Sequence, residues 1–207
     1  IEAKCVVWGA MPLMTLAREL SQQGWAGLEF ASGIPGTVGG AVRMNAGAHG
    51  GEMSQIIREV RYVDAAGQLI TVGIDQLSFA YRSCSIPADA LICEATLVLR
   101  KETPAAVMQR RAEFMEYRKR TQPLSVPSSG SVFVNPSREV SAGQLIEQAG
   151  LKGLRIGGAQ ISPLHANWIT NPERVASAAD VEALIQRCRD VVWENSGVEL
   201  KTELVRW

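Results

Sequence analysis

The sequence predicts an α+β protein in two parts, on three observations. Short β-type runs pair into hairpins, helical runs carry their own caps apart from those hairpins, and two prolines, Pro123 and Pro127, stiffen a connector after the longest Arg-rich run. The first part covers residues 1–122 and the second residues 123–207.

The elements follow in order. Lys4, Cys5, Val6, Val7 and Trp8 read as a strand in which the chain, opening on Ile1, is already extended. Leu13, Leu16, Ala17 and Leu20 recur at helical spacing, and Gly24 closes that helix. Runs 58–63 and 68–72 flank Asp64-Ala65-Ala66-Gly67 and predict a β-hairpin. A further strand spans 91–99. Thr103 as N-cap and Pro104 at the first helical position start a helix to about residue 120. Its Arg110, Arg111, Arg118, Lys119 and Arg120 read mostly as a solvated face. Ser141-x-x-Gln144 is a capping box for a short helix ending at Gly150. Ser177-x-x-Asp180 opens a longer helix with the apolar stripe Val181, Leu184, Ile185, Cys188, Val191 and Val192, closed by Gly197. A last strand is predicted over 198–205.

Between the first helix and the hairpin lies GIPGTVGGAVRMNAGAHG, residues 33–50, with glycine at 33, 36, 39, 40, 47 and 50. Glycine serves where φ is positive or where a ligand approaches the backbone. Its neighbours here are small and apolar, unlike the Ser and Gln of a flexible linker. The stretch therefore reads as an ordered loop against something flat or phosphorylated, or as a structural turn cluster.

The whole chain narrows the function classes. Lys plus Arg number 21 and Asp plus Glu number 21, so no broad basic field speaks for nucleic acid. Cys5, Cys84, Cys93 and Cys188 are scattered without a C-x-x-C pair, and His49 and His165 lie far from them in sequence. No metal site or disulfide framework is expected, and the pattern fits a reducing cytoplasm. No apolar run reaches membrane-spanning length and no signal peptide is visible.

Five short patterns occur in a fixed order. The glycine-rich stretch is followed by Phe79-Ala80-Tyr81-Arg82-Ser83, then by PSSGSVFVNP at 127–136. Ala149-Gly150-Leu151-Lys152-Gly153 leads to Gly157-Gly158-Ala159-Gln160, and GVELKTEL closes the set at 197–204. This set resembles the UDP-N-acetylenolpyruvoylglucosamine reductase family, in its shorter subclass, over essentially the whole chain. The resemblance implies part of a vanillyl-alcohol-oxidase-type FAD-binding domain at 1–122. It implies a small α+β substrate-binding domain at 123–207, whose final strand returns to the flavin site. It further implies FAD and NADPH as cofactors and reduction of UDP-N-acetylglucosamine enolpyruvate to UDP-N-acetylmuramate for peptidoglycan. The complete protein is expected to be a cytoplasmic monomer.

The resemblance also assigns residues. Arg82 matches an arginine that neutralises the developing enolate, since a guanidinium stays charged and grips a carboxylate through two bonds; in isolation it reads as an arginine pairing with a surface carboxylate. Ser131 matches the proton donor; by inspection alone it is a serine in a Gly-Ser turn. Glu203 matches a glutamate that orients or stabilises the enol, with Glu199 as competitor. Gly33, Ile34, Pro35, Gly36, Thr37, Gly39, Gly40, Asn45 and Gly47 fall to the cofactor. Tyr81, Asn135, Lys152 and His165 fall to the substrate, although Asn135 also suits an Asn-Pro turn, Lys152 a turn and His165 a loop. The end of the Arg-rich run falls to the UDP diphosphate.

Three departures stand out. Val134 occupies a position where the family usually has Lys, and Cys84 one where Ser is usual, with Ser85 as a possible substitute. The family's FAD domain also begins with a lobe carrying a separate glycine-rich loop, which has no counterpart after Ile1. Without that lobe the chain is expected to expose apolar surface. The alternative reading is a flavin-free module that holds a UDP-sugar without turnover.

Overall fold

Alternation sets the first strand. In β1 (Glu2–Trp8) Val7 is buried, whereas Val6 and Trp8, the latter 72% exposed, face outward. The computed structural model describes residues 2–137 and 139–205. The chain forms two compact units, Ile1–Tyr117 and Arg118–Trp207, which divide inside a helix.

After β1 the first unit contains α1 (Leu13–Gln22), β2 (Trp25–Ala26), α2 (Val38–Arg43), β3 (Gly47–Ala48), β4 (Gly51–Glu52), β5 (Ile57–Val63), β6 (Leu69–Gly73), β7 (Phe79–Ala80), β8 (Ser83–Cys84), β9 (Leu91–Lys101) and α3 (Pro104–Thr121). The long apolar run 91–99 becomes the central strand. β9 pairs antiparallel with β1 on one side and β5 on the other, β6 extends the sheet, and β2 also joins β9. Leu13, Leu16, Ala17 and Leu20 of α1 share one core with Val60, Leu97 and Leu99. The β5–β6 hairpin closes on Asp64, whose Oδ1 accepts from the N–H groups of Ala66 (2.9 Å) and Gln68 (2.8 Å), with Gly67 at φ +79°. The predicted turn works because an Asp carboxylate mimics a backbone acceptor there.

The Arg-rich face of α3 is less solvated than expected. Arg110 donates from Nε (3.1 Å) and Nη2 (2.8 Å) to Oε1 of buried Glu29, and from Nη2 to Glu102 (2.8 Å). The other Glu29 oxygen accepts from the Gly27 N–H at 2.6 Å. Arg118 is only 8% exposed, and burial lowers its pKa. A carboxylate buried 81 residues away recruits Arg110, a demand that helical spacing does not reveal. Arg110→Ala should destabilise the protein by about 2 kcal/mol in urea unfolding. That is below the ~3–5 kcal/mol of a fully buried pair, because Arg110 is 39% exposed. Adding Glu29→Gln to Arg110→Ala should recover part of the loss; a purely additive double variant would show that the pair is not what is lost.

The second unit contains the end of α3, β10 (Ser128–Ser131), α4 (Ala142–Gln148), β11 (Arg155–Ile156), β12 (Ala159–Ile161), β13 (Trp168–Thr170) and α5 (Ala178–Ser196). Its antiparallel sheet has the order β10-β13-β12-β11. Ile146 of α4 and Leu184, Ile185, Cys188 and Val192 of α5 bury one sheet face with Ile161, Ile169 and Phe133. Both predicted capping boxes form. Asp180 also accepts from the Gly158 N–H at 3.1 Å, so the start of α5 is tied to the β11–β12 turn. Those backbone N–H groups hold the Asp180 carboxyl below its usual range.

The predicted last strand over 198–205 is reduced to a single bridge, Phe133 to Thr202. Leu200 is drawn into the core, and residues 201–203 run beside 132–134 through two backbone bonds, Val134 N–H to Lys201 O (2.9 Å) and Glu203 N–H to Val132 O (2.8 Å).

Candidate functional site

In the first unit the glycine-rich stretch is not one loop. It begins in the 3₁₀ turn Glu29–Gly33, crosses Ile34, Pro35 and Gly36, forms α2 and ends in the β3–β4 hairpin. Two neighbouring glycines have opposite reasons. Gly39 is buried, and a Cβ there would meet the carbonyl oxygens of Gly9 and Ile92 at 3.2 Å. Gly36 has φ +111° and nothing within 4 Å of the Cβ position, so its freedom serves the chain reversal and leaves bare backbone outside.

Thr37, Gly39, Gly40 and Arg43 bound a cavity of about 610 Å³ with Trp8, Gly9 and Ile92. The local N–H groups are mostly used internally. Val38 donates to Met11 O (2.9 Å), Gly39 to Gly9 O (2.8 Å) and Gly40 to the Thr37 hydroxyl (3.3 Å). Arg43 is also spent, donating to the carbonyls of Pro87 (2.9 Å) and Ala90 (2.6 Å). The wall therefore offers side-chain-free surface more than free donors. Those properties fit close approach of a flat group along the backbone.

Asn45 is buried, and its amide is engaged at both ends. Oδ1 accepts from Ser54 N–H (3.0 Å) and Nδ2 donates to Ala80 O (3.2 Å). It thereby anchors the β7–β8 hairpin, whose two-residue tip is Tyr81 and Arg82. Arg82 has φ +56°, uncommon for a residue with a side chain. Its guanidinium lies 4.7 Å from the exposed Tyr81 ring centroid and donates to Gly47 O at 3.3 Å. Gly47 is required by the tight β3–β4 pairing, where a Cβ would fall 2.8 Å from Gly51 O. At the base of the Arg82 hairpin, Cys84 pairs with Phe79, while the Ser85 hydroxyl accepts from Ser78 N–H at 3.0 Å.

The second unit brings Ser131 and Glu203 close in register. Ser131 ends β10, the Phe133–Thr202 bridge follows, and Glu203 bonds through its backbone to Val132. Ser131 and Glu203 are half-buried, whereas the competitor Glu199 is exposed. Asn167 completes the arrangement. Its Oδ1 accepts from Phe133 N–H (2.9 Å), its Nδ2 donates to Phe133 O (2.8 Å), and its own carbonyl accepts from Val132 N–H (2.9 Å). A side-chain amide thus acts as a rung of the sheet, at a residue that lies outside the five short motifs. The one signal is an Asn set within the apolar run Ala166, Trp168, Ile169.

The remaining expected residues of the second unit are engaged locally. Asn135 Oδ1 accepts from Ala142 N–H at 3.1 Å, holding the start of α4. Lys152 pairs with Glu147 at 2.6 Å. His165 is half-buried, and its Nδ1 accepts from Asn167 N–H at 3.3 Å. Burial first, and then the Lys152 cation, lower its pKa below 6.5. The folded state therefore favours neutral His165. The associated stability is complete above the unfolded value near 6.5 and is lost as pH falls toward the lower folded value. An NMR titration should place the His165 midpoint below 6.5, and Lys152→Met should move it upward; an unmoved midpoint would remove Lys152 as a cause.

Among the described residues no group of three His, Cys, Asp or Glu side chains is placed to hold a metal, and no helix is long and apolar enough to cross a membrane.

These features define an α+β protein with a flavoprotein-type N-terminal unit: residues 2–73 match a family model described as FAD binding domain. Residues 122–207 match the model for the UDP-N-acetylenolpyruvoylglucosamine reductase C-terminal domain. The reductase of that name from Halalkalibacterium halodurans is 45% identical over 199 residues, 96% of this chain and 65% of the relative. That of Bacillus subtilis is 42% identical, covering 96% of this chain and 65% of its own length. A crystal structure of the reductase from Thermus caldophilus matches with a TM-score of 0.87 at 36% identity, over 98% of this chain and 72% of that one. The chain belongs to the UDP-N-acetylenolpyruvoylglucosamine reductase family. It spans 62% to 65% of the length of the first three curated relatives.

Proposed function

We propose that this chain carries the substrate-reducing machinery of an FAD-dependent, NADPH-using reductase that converts UDP-N-acetylglucosamine enolpyruvate to UDP-N-acetylmuramate for peptidoglycan. The observation that carries the reading is the second unit's register, which sets Ser131 and Glu203 on adjoining extended segments within a chain of this family.

When bound, FAD supplies hydride chemistry that amino-acid side chains lack. Thr37, Gly39 and Gly40, which line the cavity, would hold it, with the bare backbone of Gly36 one residue before them. Reduction of the enolpyruvyl double bond adds hydride at C3 and a proton at C2, and negative charge builds on C2 and the carboxylate between the two. The Ser131 hydroxyl gives the proton at C2. Arg82, held at its hairpin tip by Asn45 and Gly47, neutralises the carboxylate. Glu203 orients or stabilises the enol, and Tyr81, Asn135, Lys152 and His165 line the substrate. Val134 leaves one cation fewer near an anionic ligand than Lys would.

The test is to titrate purified protein with FAD and then add NADPH and the enolpyruvyl substrate. Bound-flavin absorption with substrate-dependent NADPH consumption is expected. A protein that refuses FAD yet binds the UDP-sugar would replace this reading with a flavin-free sugar-nucleotide module, which the internally used N–H groups around Thr37 favour.

A further inference from the structure

Ser131 and Trp168 stand directly opposite each other in the antiparallel β10–β13 pair. Opposed residues project to the same sheet face with Cβ atoms about 5 Å apart. That face is not the one covered by α4 and α5. Ile161 and Ile169 are opposed on β12 and β13 and belong to the core, so Trp168, one residue from Ile169, points the other way. Thr170 and Gln160 share that second face.

Trp168 is only 9% exposed, and its Nε1–H is buried without a hydrogen-bond partner among the described residues. A buried indole N–H normally finds an acceptor, and leaving one unmade costs about 1–3 kcal/mol. Its neighbours do not supply one. Thr170 donates its hydroxyl to Gln160 O at 3.1 Å. The His165 ring lies 6.2 Å away between centroids, and its Nδ1 already accepts from Asn167. An indole nitrogen only donates, so the missing partner is an acceptor.

We propose that Trp168 is a substrate-binding residue beside Ser131, whose indole N–H donates to an anionic oxygen of the sugar nucleotide, in its enolpyruvyl carboxylate or its diphosphate. The proposal rests on Ser131 facing the enolpyruvyl group, as set out under the proposed function. It adds a donor that discriminates for an oxygen acceptor at that position.

The experiment follows the indole N–H resonances of the intact chain by ¹H–¹⁵N NMR, with Trp168→Phe identifying the Trp168 signal. UDP and UDP-N-acetylglucosamine enolpyruvate are titrated separately. Saturation should move the Trp168 signal downfield, and Trp168→Phe should bind at least about tenfold more weakly, as loss of a bond to a charged group predicts. The thermal midpoint of Trp168→Phe should be unchanged or higher, since an unsatisfied donor is removed. A response to UDP alone assigns the diphosphate, and a response only to the enolpyruvyl compound assigns the carboxylate; either supports the proposal. If saturation shifts other resonances while the Trp168 signal and the Trp168→Phe affinity stay unchanged, the proposal is wrong and the proposed function stands. If neither compound binds, both fall. Where Trp168→Phe fails to fold, sequential backbone assignment of the wild-type chain identifies the Trp168 signal, and its shift decides the matter.

Discussion

Under the proposed function, replacing Ser131 with alanine should slow the half-reaction with UDP-N-acetylglucosamine enolpyruvate by about 10²- to 10⁴-fold, the usual loss for a positioned general acid, while the half-reaction with NADPH is retained. The split follows from placement. Ser131 lies in the second unit at the end of β10, beside Glu203 in register, whereas the bare backbone suited to a flavin lies around Gly36 to Gly40 in the first. A free serine hydroxyl is a weak acid, so its competence depends on where it is held. The segment it leads is fixed on one side by Asn167 and on the other by residues 201–203. Stopped-flow absorbance of FAD-loaded protein separates the two half-reactions. Equal damage to both, or to neither, would remove Ser131 as the proton donor. Glu203→Gln, read in the same way, should leave the NADPH half-reaction intact and slow the other by less than Ser131→Ala does.

Much of the scaffold was legible because its signals are local. Asp64 to Gly67 make the hairpin turn, Ser141 and Ser177 make capping boxes, Thr103 and Pro104 start α3, and Gly197 at φ +67° ends α5. Each is set by residues within a few positions of one another. The misreadings have a common physical source in distant partners. The Arg110 side of α3 reads as solvated until Glu29 arrives from 81 residues earlier. Residues 38–43 read as loop because Gly39 and Gly40 are poor helix formers. The helix nonetheless forms, capped by Thr37, and the carbonyls of Gly9 and Ile92, which leave no room for a side chain, require the glycine at 39. The fixed order of short motifs points to Arg82, Ser131 and Glu203 as candidates, yet gives no hint of what holds each of them. Asn45, expected at the cofactor, has both amide ends occupied by Ser54 and Ala80 and holds the hairpin that presents Arg82. The predicted last strand shrinks to one bridge, and on the opposite edge of Phe133 the Asn167 amide takes the place of a neighbouring strand.

That substitution of a side chain for a strand makes Asn167 the residue whose loss should most damage the second unit. Phe133 is 1% exposed, and its N–H and C=O both end on the Asn167 amide. Asn167→Ala strands a buried donor and a buried acceptor at about 1–3 kcal/mol each, so a loss of about 2–6 kcal/mol in urea unfolding is expected. Asn167→Asp separates the hydrogen bonds from mere bulk. Its ionised carboxylate still accepts from Phe133 N–H but sets a second anionic oxygen against Phe133 O, whereas its protonated form donates there as the amide does. The variant's folded pKa should therefore be raised above the unfolded ~3.9. Its stability relative to wild type should be greatest below that value and lost as pH rises through the folded pKa. Asn167→Ala should show no such dependence. A pH-independent Asn167→Asp, or an Asn167→Ala variant within about 0.5 kcal/mol of wild type, would mean that the rung is not a structural necessity. If the rung does hold Ser131 in place, both substitutions should also lower turnover of the enolpyruvyl substrate while sparing the half-reaction with NADPH, because Asn167 acts only through the segment it supports.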